Sequence, residues 1–217
     1  MGLFITFEGP DGSGKSTVIN KVFSQLKTDY PNKKIILTRE PGDVNDKLTI
    51  DIRNLLLNKL DYNIDYRCEA LLFAADRAQH ISKFVKPNLD ADAIIVCDRF
   101  VDSNIVYQGY GRKLGANKIR KISKFAANGI FPDKTFILMV TPEVGMQRIA
   151  KNTARELNRM DKEKMELHQM VYTAYKKIIK HDKSIFNTKK RIIEIDASKT
   201  ENEVFNDVYK RIKKIIK

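Results

Sequence analysis

Cysteine is nearly missing from this chain of 217 residues, which holds only Cys68 and Cys97. The two stand far apart and fit no metal-ligand spacing, so no zinc module is encoded, and both read as reduced thiols of a cytoplasmic protein. The 10 glycines and 6 prolines are too few for a collagen-like or low-complexity chain. No apolar run approaches the ~18 to 20 residues of a membrane-spanning helix. With 31% charged residues and a mean hydropathy of −0.39, no membrane association is expected. The opening Met1-Gly2-Leu3-Phe4 lacks the basic stretch of a signal peptide. Acidic residues are the minority sign: 27 Asp and Glu against 40 Lys and Arg leave a net charge of +13. Lysine far outnumbers arginine, which reads as general usage and not as a stripe for a specific nucleic-acid partner. An anionic small substrate would gain from the same field.

Hydrophobic residues make up 42%, enough for a sizeable core, and no linker or repeat divides the chain, so one domain over 1–217 is expected. Residues 3–8, 35–37, 94–97, 135–140 and 192–195 form short apolar runs that read as buried strands. Between them lie helical patterns at 15–26, 46–58, 65–85, 117–128, 161–180 and 200–216, with another opened by Pro142. Asp65 is placed to cap the third, Pro87 to stop it, and Gly129 to end the fourth. Alternating strands and helices predict an α/β fold with a parallel sheet covered by helices.

The segment Gly9-Pro10-Asp11-Gly12-Ser13-Gly14-Lys15-Ser16 fits G-x-x-x-x-G-K-[ST] in full, between a predicted strand and a predicted helix. Its glycines let successive N–H groups converge on a phosphate, and the helix N-terminus adds positive charge. Lys15 can bridge the β- and γ-phosphates, and Ser16 can ligate Mg²⁺. This establishes nucleoside-triphosphate use and leaves three classes: a small-molecule kinase, a GTPase and a nucleic-acid ATPase. No N-K-x-D motif for guanine is present, and the chain is short for a nucleic-acid motor.

Other polar groups fall at strand ends, where ligand crevices form in such sheets. Asp98-Arg99 follows the strand at 94–97, with Asp98 suited to Mg²⁺ and Arg99 to a second phosphate. Thr38-Arg39-Glu40-Pro41-Gly42 follows the second strand at the equivalent edge. Phe73 and Arg77 are four apart on one helix and share a face that can stack a flat base and donate to its carbonyl, although Phe73 also suits a core position. Arg148, Lys151, Arg155 and Arg159 recur at helical spacing, as either a cationic lid or a solvated face.

Taken in order, the motifs are F-E-G-P-D-G-S-G-K-S-T at 7–17, T-R-E-P-G at 38–42, L-F-A-A-D-R at 72–77, D-R-F-V-D-S at 98–103, Y-Q-G at 107–109 and N-G-I-F-P-D at 128–133. The set resembles the thymidylate kinases, nucleoside-monophosphate kinases that phosphorylate dTMP to dTDP with ATP and Mg²⁺. The resemblance implies a five-stranded parallel sheet flanked by helices, a short lid at about 148–160, and a homodimer. It implies that the loop from Gly9 to Thr17, with Arg148, binds ATP. Phe73 would stack on thymine, with Arg77, Asn104 and Gln108 at its polar edge. Tyr107 would crowd the sugar C2′ position and Asp11 would bond the 3′-hydroxyl. Arg53 and Arg99 would hold the acceptor phosphate, with Glu40 nearby. The loop positions Pro10, Asp11, Gly12 and Ser13 contain no arginine, whereas the lid holds Arg155 and Arg159, so the chain resembles the bacterial type whose catalytic arginine sits in the lid. Lys15, Arg99, Arg155 and Arg159 are then the catalytic cations, and Ser16 and Asp98 the metal's neighbours. The alternatives are a kinase for another monophosphate or a deoxynucleoside, and a P-loop nucleic-acid-binding protein.

Overall fold

The computed structural model describes residues 2–42, 46–58, 63–151, 159–160, 163–181 and 191–216. A five-stranded sheet runs β2(Ile35–Arg39)-β3(Ile94–Asp98)-β1(Leu3–Glu8)-β4(Lys134–Met139)-β5(Ile192–Asp196), every pair parallel. The order reverses direction at β1, and a crevice opens there beyond the strands' carboxyl ends. Register carries the polar residues to that rim together: Arg39 lies opposite Asp98, and Asp98 opposite Phe7.

Because both faces of a parallel sheet must be covered, the strands are apolar throughout. On one face α1(Lys15–Asp29) and α8(Glu201–Lys213) bury Val18, Val22, Leu26, Val204 and Val208 against Ile5, Phe7, Val96 and Phe136. On the other, α3(Tyr66–His80), α4(Val101–Asn104), α5(Ala116–Ala127) and α7(Met165–Lys180) pack over Phe4, Ile95, Cys97 and Ile137. Caps fall where short polar side chains precede helices. Asp46 accepts from Thr49 N at 3.0 Å to open α2(Lys47–Leu57), and Asp65 accepts from Arg67 N at 2.9 Å to open α3. Asn128 (φ 44°) and Gly129 (φ 79°) end α5 in the left-handed region.

Three expectations change. Helix α3 runs on as Tyr66–His80, Ile81–Val85 and Lys86–Asp90, through Pro87. Proline has no N–H and its ring crowds the preceding turn. The chain answers with a π-helical turn at Ile81–Val85, in which Lys86 N bonds back to Ile81 O, five residues earlier. A helix α4, Val101–Asn104 continuing as a π-helical Ile105–Gly111, occupies a stretch read only as motifs. Helix α7 begins at Met165, not Asp161. Pro142 does open α6(Pro142–Lys151), and 152–158 of the expected lid lie outside the described residues. Cys68 is exposed, Cys97 is buried, and both are free thiols.

Candidate active site

The loop between β1 and α1 wraps the start of α1 and leaves Lys15 and Ser16 at the helix N-terminus. Two glycines are required there. A Cβ on Gly9 (φ 141°) would sit 2.3 Å from Leu138 O, and one on Gly12 (φ 73°) 2.1 Å from Gly145 O of α6. Lys15 is buried, and its Nζ donates to the carbonyls of Gly9 and Pro10, both at 3.1 Å. Burial and then the Arg99 charge lower its pKa to about 8, against the pull of Asp98, Asp11 and Glu8. Ser16 Oγ donates to Asp98 Oδ2 at 3.3 Å, while the buried Asp98 Oδ1 has no partner among the described residues. That pair of hard oxygens, one unspent, suits Mg²⁺.

Arg99 sits at the centre. It holds φ 69°, a strained value for a residue with a side chain. Its amide donates to Phe7 O at 2.9 Å, and its guanidinium reaches Asp11 Oδ1 at 2.6 Å, Ser103 Oγ at 3.0 Å and Gly9 O at 3.2 Å. The residues after Arg99 are anchored by Glu8, which the sequence motifs do not single out. This fully buried carboxylate accepts from Phe100 N (2.8 Å), Ser103 N (3.2 Å), Ser103 Oγ (2.5 Å) and Tyr175 Oη (2.9 Å), capping α4 from β1. Burial and the neighbouring Asp102 raise its pKa to about 7. Asp102 is tied in turn to Arg191 through two bonds of 2.7 and 2.8 Å.

Asp11 also accepts from Tyr107 Oη at 2.8 Å. Burial works against its charge, but Arg99 and Lys15, with the Tyr107 hydroxyl, hold its carboxyl below the usual range. Arg53 donates to Pro41 O at 2.7 Å; burial and the adjacent Arg39 charge push its pKa down. Arg39 Nε donates to Gly42 O at 3.2 Å, and among the described residues neither Arg39 nor Arg53 has a carboxylate within ion-pair distance, which leaves their charge available to an anion.

Farther along, Phe73 is half-buried and faces the cavity, which answers the core reading of its helical spacing. Arg77 is buried, donates to Asn104 Oδ1 at 2.9 Å, and lies 2.7 Å from Glu40 Oε2. Glu40 also contacts the buried His80 Nδ1 at 3.0 Å, so its carboxylate is occupied between Arg77 at the cavity wall and His80 behind it. At the opposite end Arg148 donates to Ala197 O at 2.9 Å beside Thr200 and Val204. One cavity of about 1280 Å³ joins these ends. It exceeds the ~300 to 1,000 Å³ typical of a single small-molecule pocket and has room for two nucleotides.

The structure thus brings together Asp11, Gly12, Ser13, Gly14, Lys15, Ser16, Thr17, Arg53, Asp98, Arg99, Phe73, Arg77, Asn104, Tyr107, Gln108, Glu40 and Arg148 on one cavity, with Gly9 and Pro10 directly behind it. Two expected cations are not among these residues. Arg155 lies outside the described residues. Arg159 is placed elsewhere: it donates to Leu56 O at 3.0 Å and to Glu69 Oε2 at 2.5 Å, its amide bonds Leu57 O at 3.1 Å, and it does not line the cavity. Helical spacing put it on a face with Arg148 and Arg155, but a buried carboxylate on α3 attracts it away.

A phosphate-binding loop and a second group of arginines lining one cavity suit transfer of a phosphoryl group between two nucleotides. Fold and site together define a P-loop kinase acting on a small phosphate-bearing acceptor. The thymidylate kinase family model matches residues 7–208, and the chain belongs to that family. It is 42% identical to a thymidylate kinase of Staphylococcus haemolyticus over 217 residues, all of both chains. It is 43% identical to one of Limosilactobacillus reuteri over 207 residues, 95% of this chain and 93% of that one. Among solved structures, a thymidylate kinase from Ehrlichia chaffeensis superposes with a TM-score of 0.74 at 31% identity, covering 98% of each chain.

Proposed function

We propose that the cavity seats ATP over the phosphate-binding loop and dTMP at the end lined by Phe73 and Arg77, with the two phosphate groups meeting near Arg99. The protein phosphorylates dTMP to dTDP with ATP as donor. The observation that carries the assignment of roles is the joining of Lys15 and Ser16 to Arg53, Phe73 and Arg77 in one cavity. Phe73 stacks on the base, Arg77 donates to a base carbonyl, and Asn104 and Gln108 complete the polar edge. Tyr107, fixed by Asp11, fills the space beside C2′ and favours a deoxyribose. Arg53 and Arg99 grip the acceptor phosphate, and Arg148 flanks the ATP base.

No general base is needed: a phosphate monoester with a second pKa of about 6 is largely dianionic at neutral pH. The difficulty is bringing two polyanions in line, so catalysis is positioning and charge neutralisation. Lys15 and Arg99 supply fixed cations. The loop carries no arginine, which leaves Arg155 of the lid for the transferring group, as the sequence pattern of the lid-arginine type suggests. Ser16 and Asp98 would hold Mg²⁺, an ion that, when bound, neutralises charge between the β- and γ-phosphates. We read the chain as one domain with its lid at about 148–160, cytoplasmic because both thiols are free, and homodimeric through the faces of α3 and α5, where Leu71 and Phe125 are 56% and 88% exposed.

The test is the acceptor's phosphate. With ATP and Mg²⁺, dTMP should support rapid ADP release and thymidine almost none. Comparable turnover of thymidine would show that Arg53 and Arg99 do not form the acceptor site.

A further inference from the structure

At the end of the cavity lined by Phe73 and Arg77 a buried carboxylate accepts from the Gln108 amide. Gln108 is 1% exposed, lines the cavity, and donates from Nε2 to Glu69 Oε1 at 2.9 Å. Glu69 is fully buried on α3 and accepts from Arg112 Nε at 3.2 Å, Arg112 Nη2 at 3.3 Å and Arg159 Nη2 at 2.5 Å. Burial alone would favour a neutral acid. The Gln108 amide and the two guanidinium groups overcome it and hold the carboxyl below its usual range.

An ionised carboxylate only accepts hydrogen bonds, so an amide pressed against it must present its nitrogen. The Gln108 carbonyl oxygen is then the end left for the cavity. Arg77 lines the same cavity, and its Nε and Nη1 are buried donors without a hydrogen-bond partner among the described residues. The base therefore meets a donor from Arg77 and an acceptor from Gln108. Thymine offers an acceptor at O4 and a donor at N3–H, which matches both. Cytosine offers a donor at N4 and an acceptor at N3, which opposes both.

We propose that Glu69 is a specificity-determining positioning residue: it locks the Gln108 amide with its oxygen toward the base, so that an imide N–H is accepted and a cytosine nucleotide is refused. This rests on the cavity end at Phe73 and Arg77 being the thymidylate site. The lock depends on Glu69 being unable to donate. In Glu69→Gln the neighbour donates as readily as it accepts, and both orientations of Gln108 find a partner. A site built around a substrate N–H can reject an analogue lacking it by roughly 10⁴ to 10⁵, so releasing the amide should be easily read.

The experiment measures kcat and KM for dTMP and dCMP, and KM for ATP, in the wild type, Glu69→Gln and Gln108→Leu. Glu69→Gln should lower the dTMP-to-dCMP ratio of kcat/KM by about tenfold or more, chiefly through a higher KM for dTMP and a gain toward dCMP, with the ATP KM unmoved. A folded Glu69→Gln with an unchanged ratio, or with both acceptors weakened equally, overturns the proposal. If Glu69→Gln does not fold, Gln108→Leu decides. It removes both ends of the amide and leaves the carboxylate with its arginines. A lower ratio through loss of dTMP alone supports the proposal, and an unchanged ratio overturns it. Should the wild type itself fail to use dTMP, the thymidylate reading falls whatever the variants do.

Discussion

Lys15 is the residue where burial, charge and chemistry meet most tightly. Its ammonium is held among backbone carbonyls and carboxylates with a pKa near 8, so phosphate oxygens that replace carbonyls strengthen its charge. Lys15→Ala should lower kcat by about 10² to 10³-fold, the scale of removing one preorganised donor from a transition state, while the melting temperature changes little. Near-wild-type kcat would remove Lys15 from the mechanism. Phe73→Ala should raise KM for dTMP and not for ATP, by the ~1 to 3 kcal/mol that base stacking contributes; steady-state kinetics with each substrate varied checks this. The sequence made Lys15, Phe73, Arg77 and Arg99 legible because motif spacing carries them. Glu8 and Glu69 were not singled out, because a lone buried carboxylate has no motif and its partners come from distant segments. A signal did exist for Glu69: it stands four before Phe73, as Phe73 stands four before Arg77, on one helical face.

At the scale of elements, most strands and helices followed from apolar periodicity, caps and stops. Helix α4 escaped because Gly109 and Gly111, β-branched Ile105 and Val106, and the strained Arg99 before it all argue against a helix locally. Tertiary contacts, Glu8 at its N-terminus above all, override that preference. Helix α6 approaches the phosphate loop so closely that a Cβ on Gly145 would lie 2.5 Å from Asp11 O. Gly145→Ala should therefore push α6 from the loop, costing about 1 to 3 kcal/mol of stability and raising KM for ATP; chemical denaturation and ATP titration measure both. The loop after β2 is held to α3 by Asp76, whose Oδ1 accepts from Gly42 N at 2.9 Å while its buried Oδ2 has no partner among the described residues. Burial and then the Glu40 charge raise its pKa from 3.8 to about 7. Between those values the folded state binds a proton that the unfolded state does not, so this group's contribution to stability falls as pH rises through the window. Asp76→Asn keeps the acceptor for Gly42 and removes the charge. It should stabilise the protein at pH 8 by about 1 to 3 kcal/mol and make no difference below pH ~4; denaturation at both pH values provides the check.

For the whole molecule, the +13 charge favours polyanionic substrates, and the proposed dimer would cover the exposed Leu71 of α3 and Phe125 of α5. Phe125→Glu should convert a dimer to monomers in sedimentation equilibrium. A monomeric wild type would contradict that reading without touching the site. The parallel sheet was legible as a class from the alternation of elements, whereas the joining of its strand ends around one cavity needed the register of β1, β2 and β3. Transfer of phosphate from ATP to thymidylate in this cavity is open to direct assay. The most direct measurement offers the purified protein ATP and Mg²⁺ with an equimolar mixture of dTMP, dUMP, dCMP, dGMP and AMP, and separates the products by chromatography. We expect dTDP as the main product, dUDP well behind it, and only traces of the others; dCDP, or ADP formed from labelled AMP, at a rate equal to dTDP would overturn the assignment.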